Sequence, residues 1–193
     1  MNEANFLKRV SEFISGDGFV REQTVPLSAV TCTDTPAIAS KALSTTLDLA
    51  AEFLKIPVDL PKDFDESQNE LWVGVLAERT AGTDALDGVT LTVDEVARAR
   101  EGVAALLDCT TKAKNNSNNI VSDTLNWYYF KIEAATGQTF AHKAGDRLTV
   151  ELSATISDGA GDDGVIEVYG VCVLYRSDLA TYDCNKRSVE DMV

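Results

Sequence analysis

Residues 147–156, RLTVELSATI, alternate without a break: Leu148, Val150, Leu152, Ala154 and Ile156 are apolar, and Arg147, Thr149, Glu151, Ser153 and Thr155 are polar. Side chains of a strand point to opposite faces in turn, so this run reads as a half-buried antiparallel strand. It needs an opposing layer, and that requirement limits the fold more than any other feature of the chain. The next apolar run, residues 165–175, differs. Val165, Tyr169, Val171, Val173 and Tyr175 would share one face, and Ile166, Val168, Cys172 and Leu174 the other. Between the two runs lies Asp158–Gly164, DGAGDDG. Glycine and aspartate supply positive φ and short polar side chains, so the segment reads as a hairpin turn. Counted as a calcium loop from Asp158, it has Asp163 where glycine is needed and Tyr169 where a bidentate glutamate is needed, so an EF-hand is excluded.

Further extended segments precede these. Residues 125–134 (LNWYYFKIEA) and 71–78 (LWVGVLAE) read as strands. Residues 42–50 fit both a two-residue and a helical period, and strand is preferred. Pro26 marks residues 19–31 as an edge segment. Pro57 and Pro61 extend IPVDLP, and residues 62–70 form a solvated loop. Two helices are expected. Residues 3–14 carry Phe6, Leu7, Val10, Phe13 and Ile14 at helical spacing, and residues 92–108 open on a T-x-x-E capping box (Thr92, Glu95) and continue with Val96, Val103, Leu106 and Leu107. Without repeated β-α-β alternation, the fold class is mainly β: an antiparallel β-sandwich or jelly roll with one covering helix at about 92–108 and a short N-terminal helix. The domain reading is an N-terminal arm, 1–18, and a single sandwich domain, 19–193. Strands 125–134 and 165–175, apolar on both faces, need a second cover, which is either the 92–108 helix or a partner subunit.

The chain has 193 residues and a formal net charge of −14. Such a surface repels phosphate backbones and anionic lipid, so neither nucleic acid nor membrane is an expected partner. No stretch reaches 18 apolar residues and the N-terminus has no signal-peptide pattern, so synthesis in the cytosol is expected. Cys32, Cys109, Cys172 and Cys184 form no C-x-x-C, which excludes zinc ribbons and thioredoxin-type motifs. The pattern leaves their disulfide state open.

Chemistry-bearing motifs are absent. His142 is the only histidine and sits in the polar run FAHKAGD, where it reads as a surface residue. No G-x-S-x-G, phosphate loop or H-E-x-x-H occurs. Asp63, Asp65 and Glu66 cluster ahead of Trp72 but read as a solvated loop. No metal, no cofactor and no catalytic residue is expected, and the chain is read as non-enzymatic. In the run Trp127-Tyr128-Tyr129-Phe130 alternate residues face opposite ways, so at most half could line a sugar platform.

The segment 126–176 resembles β-sandwich virion structural proteins of tailed bacteriophages, of the capsid decoration or cement type. The resemblance rests on an aromatic strand, Gly145-Asp146, Leu148-Thr149-Val150-Glu151-Leu152, a Gly/Asp hairpin, and the final strand Val168–Tyr175. It implies a homo-oligomer, with a trimer favoured, bound to a major capsid protein on the virion surface and stabilising the shell without catalysis. Phe6, Leu7, Val10, Phe13, Trp127, Tyr129, Tyr169 and Tyr175 are the candidate interface residues. Two alternatives remain: a carbohydrate-binding or tail-associated adhesion module, which requires exposed aromatics, and a carboxylate-based hydrolase, which requires two close carboxylates in a cleft.

Overall fold

The computed structural model describes residues 19–34, 37–39, 42–48, 52–67, 70–81, 88–102, 107–109, 117–120, 124–132, 141–157 and 164–177. They form twelve strands in two antiparallel sheets. In order these are β1 (Phe19–Val25), β2 (Thr31–Cys32), β3 (Ala37–Ala39), β4 (Ala42–Leu47), β5 (Phe53–Asp59), β6 (Leu71–Ala81), β7 (Gly88–Ala99), β8 (Leu107–Cys109), β9 (Ser117–Asn119), β10 (Asn126–Lys131), β11 (Arg147–Ser157) and β12 (Val165–Ser177). The first sheet runs β10-β6-β12-β4-β3, with β1 also on β12; the second runs β2-β5-β11-β7-β8, with β9 also on β7. The mainly β, two-sheet reading therefore holds.

The core lies between the sheets. From the first sheet come Val73, Val75, Tyr128, Phe130, Ile166, Val168, Val171, Val173 and Tyr175; from the second come Leu54, Ile56, Leu91, Val93, Val96, Val150 and Leu152. Burying each large apolar side chain fully contributes about 1.5–3 kcal/mol. β11 follows its sequence pattern: Leu148, Val150, Leu152 and Ala154 are buried, and Arg147, Thr149 and Thr155 are exposed. β5 does the same, and its Pro57 lies beyond Leu54 and Lys55, where β2 pairs.

Three expectations are corrected. The helix at 92–108 is not formed, since residues 88–99 are strand β7, paired with β11 along its length. β-Branched Val89, Thr90, Thr92 and Val93 favour a pleated surface. At Asp94 a bulge inserts one residue, because Glu151 pairs with Glu95 and Leu152 with Val93. The bulge sets buried Val93 and Val96 three apart, and the Thr92-x-x-Glu95 run that reads as a helix cap lies inside the strand. Among the described residues the only helical piece is a 3-10 turn, Leu27–Ala29.

The Gly/Asp segment does not join a paired hairpin. β11 belongs to the second sheet and β12 to the first, so the chain crosses between layers there. Residues 158–163 themselves lie outside the described residues. The single alternation expected along 165–175 also fails. Val168 pairs with Ala77 and Gly170 with Leu76, leaving Tyr169 as a bulge residue. Ile166 and Val168 therefore share the inner face with Val171, Val173 and Tyr175. The expected N-terminal helix, with Phe6, Leu7, Val10 and Phe13, lies outside the described residues.

Candidate functional site: the outer face of the first sheet

Inward Val73 and Val75 force Trp72, Gly74 and Leu76 outward on β6. The ladder then fixes what stands beside them. Lys131, Trp72 and Leu174 form one row across β10, β6 and β12. Tyr129, Gly74 and Cys172 form the next, and Trp127, Leu76 and Gly170 the third.

Two glycines make room for the aromatics. A Cβ on Gly74 would sit 2.8 Å from Cε1 of Tyr129 and 2.7 Å from Sγ of Cys172. The Tyr129 ring thus leans across β6 onto bare backbone, which only glycine permits. Trp127 leans the same way and reaches β12, where Cη2 would lie 3.7 Å from a Cβ on Gly170. The two rings have centroids 6.1 Å apart and planes 23° from parallel. Both are half-buried. Lys131 Nζ stands 5.9 Å from the Trp72 ring centroid, and Leu125, two residues before Trp127, is 46% exposed. The stripe borders β1, whose Glu22 and Thr24 pair with Leu174 and Cys172 and are exposed.

Beyond the Trp127 row the face turns acidic. Glu78 and Glu167 are register partners on β6 and β12. The bulged Tyr169 donates its hydroxyl hydrogen bond to Oε1 of Glu78 at 2.9 Å, and Ser44 donates to Oε1 of Glu167 at 2.7 Å. Burial, then the neighbouring Glu167 and Glu78, push the Tyr169 phenol above its ordinary value. Cys172 is 2% exposed and Leu174 is 7% exposed in the single chain. The outer face of β12 is therefore already covered at these positions within the single chain. Burial, with Glu22 nearby, pushes the Cys172 thiol up to about 12, so it is an inert free thiol.

Of the sequence candidates, Trp127 and Tyr129 stand together on the outer face, and Tyr169 lies beside them at the bulge. Tyr175 is corrected: it faces inward in the core and is 7% exposed. Gly74, Gly170, Glu78 and Glu167 were not singled out from sequence. A W-x-G-x-L alternation marks Gly74, but only the register shows which ring it accommodates.

A second polar centre lies at the end of the second sheet. His142 is 1% exposed, not a surface residue, and packs edge-on against Phe64 with ring centroids 6.3 Å apart. Burial, then the charge of Arg98, lower its pKa to about 3. Beside it Asp146 accepts from Arg100 Nε at 2.7 Å and Nη2 at 2.8 Å, and from the Lys143 N–H at 2.8 Å. Burial alone would raise the Asp146 carboxyl, but these bonds and the Arg100 and Arg98 charges hold it below the usual carboxylate range. The Asp146 backbone carbonyl accepts from Leu60 N–H, and Gly145, at φ +83°, turns the chain. This centre ties 141–146 to β7 and β5. Three hydrogen bonds and the nearby Arg98 charge hold its carboxylate as a structural anchor of this end.

Among the described residues one carboxylate group has metal-compatible spacing: Asp34, Asp48 and Glu52, with ligand oxygens within 4.8 Å of one another. Glu52 already accepts from the Asp48 N–H at 2.6 Å, and Asp34 from the Thr46 hydroxyl at 3.3 Å.

No family model matches the chain, and no curated protein matches it. Among solved structures it is similar to a xylan-binding module CBM15, at 10% identity and TM-score 0.46, over 82% of this chain and 97% of that one. It is also similar to a low affinity xylan binding module CBM86 from Roseburia intestinalis, at 11% identity and TM-score 0.38, over 84% and 99% of the two chains. A third is the CtCBM11 solution structure, at 8% identity and TM-score 0.35, over 83% and 91%. At these scores the functional reading rests on the site's own geometry.

Proposed function

We propose that this chain is a non-catalytic carbohydrate-binding or adhesion module that takes a glycan on the outer face of the first sheet. The pairing of Trp127 and Tyr129 carries this reading. Two large, near-parallel rings stand together on the outer strand face, each half-buried, seated on backbone that two glycines leave bare. Each offers an apolar surface to the C–H face of a sugar ring, with polar groups around it to orient hydroxyls. The ring centroids lie 6.1 Å apart, so the two rings meet neighbouring units of a glycan laid along the strand. A glycan array followed by titration tests the proposal. Trp127→Ala should weaken binding at least about tenfold, or about 1.4 kcal/mol. Absence of any glycan hit, or binding indifferent to Trp127→Ala, would overturn it.

A second reading is the virion decoration protein. It is favoured by the strand pattern over 126–176 and by Leu125, left 46% exposed beside the aromatic stripe. In that reading Trp127, Tyr129 and Leu125 bury against another copy or a major capsid protein. Light scattering after size exclusion separates the two: a closed trimer that co-sediments with empty shells favours decoration, and a monomer that binds glycan favours the module.

A further inference from the structure

The acidic end of the aromatic stripe bears on which glycans the face accepts. Glu78 and Glu167 stand directly opposite each other on neighbouring strands, one step past the row Trp127, Leu76, Gly170. Like charges directly opposite in a ladder are destabilising. Here Tyr169 and Ser44 each donate one hydroxyl hydrogen bond, to Glu78 and to Glu167. A carboxylate has about four acceptor sites on two oxygens, so capacity to accept remains. Both side chains are half-buried and retain access to solvent. Among the described residues the cations of this face, Lys131 against the Trp72 ring and Arg176 3.6 Å from Glu70, stand at the other end, where Glu22 of β1 also lies.

We infer that the stripe selects neutral, hydroxyl-rich glycans against uronate- or sulfate-bearing ones, with Glu78 and Glu167 accepting sugar hydroxyls at its acidic end. This rests on the carbohydrate-binding reading above. A sugar hydroxyl is a donor that matches a carboxylate acceptor. A uronate brings a second negative charge beside an existing pair, in the field of a chain whose net charge is −14. Tyr169 is a positioning residue: the bulge carries its hydroxyl to Glu78 and holds that carboxylate in place.

Calorimetric titration of the intact chain tests this with cellohexaose, mannohexaose and xylohexaose as neutral probes and hexagalacturonate as the acidic one. At least one neutral probe should bind about tenfold or more tighter than hexagalacturonate at low salt. The Glu78→Gln/Glu167→Gln double variant should narrow that ratio about tenfold, chiefly by losing neutral affinity. Equal wild-type affinity for acidic and neutral probes overturns the inference, and so does a ratio unchanged in the double variant. In either case the carbohydrate reading survives if Trp127→Ala still abolishes binding. If no probe binds, or if Trp127→Ala is without effect, that reading fails and the inference fails with it. Thermal unfolding of the double variant separates loss of fold from loss of contact, since removing an opposed charge pair should leave stability equal or raised.

Discussion

The two sheets present opposite kinds of outer face. On the second sheet β11 turns Arg147, Thr149, Glu151, Ser153 and Thr155 outward, and its surface contacts are charge pairs such as Lys55 to Glu151 at 3.2 Å. On the first, β6, β10 and β12 turn outward Trp72, Leu76, Trp127, Tyr129, Cys172 and Leu174. The second face is mostly polar, with Phe53 beneath Lys55 as an aromatic on it; the first carries the larger aromatic area. Cys172 and Leu174 of the first face are buried within the single chain, whereas Trp127 and Tyr129 stay half-buried and Leu125 is 46% exposed. That difference is what the carbohydrate-binding proposal rests on.

The comparison breaks most severely at the end of the second sheet, where an internal charge cluster replaces apolar cover. Asp146→Ala leaves Arg98 and Arg100 facing a void and should cost about 3 kcal/mol or more, measured by denaturant unfolding. It should leave glycan affinity unchanged, because the cluster lies off the aromatic face.

Gly74→Ala comes next and strikes the first sheet alone. The new Cβ would press on Tyr129 and Cys172, so about 1–3 kcal/mol of stability should be lost and binding with it. Gly170→Ala meets only ordinary contacts at 3.6 Å and beyond, and should be tolerated. Equal damage from both would mean that Tyr129 does not rest on Gly74.

A further effect concerns pH and grows with acidification. Folded His142 titrates at about 3, while unfolded histidine titrates near 6.5. Between those values the unfolded chain binds a proton that the folded chain refuses. Stability should therefore be full above about pH 6.5 and fall on acidification toward pH 3, with a slope approaching about 1.4 kcal/mol per pH unit from this group. His142→Gln should flatten that part of the profile. The depressed Asp146 adds a loss that sets in only below the ordinary carboxylate range. At the small end, Thr149→Ala and Ser153→Ala on the second outer face should change binding by less than about 0.5 kcal/mol. A larger loss there would remove the asymmetry on which the site rests.

The sequence by itself determined the architecture's material: the clean alternation of β11, the strands around Trp72 and Trp127, and the absence of nucleophile, phosphate and histidine-metal motifs. Local periodicity sufficed because a strand's two faces are written two residues apart. It misled in two places. The Thr92–Glu95 run has the form of a helix cap but lies within strand β7, and the bulge at Tyr169 reversed the faces of β12. Which strands share a sheet was also beyond it. A glycine-aspartate segment has the same composition whether it closes a hairpin or carries the chain from one sheet to the other. The tertiary structure alone decided that Trp127 rests beside Tyr129 over Gly74 and Gly170, that Glu78 faces Glu167, and that His142 is buried. Each of these follows from register and layer packing, which join residues far apart in the chain and leave no mark on local spacing.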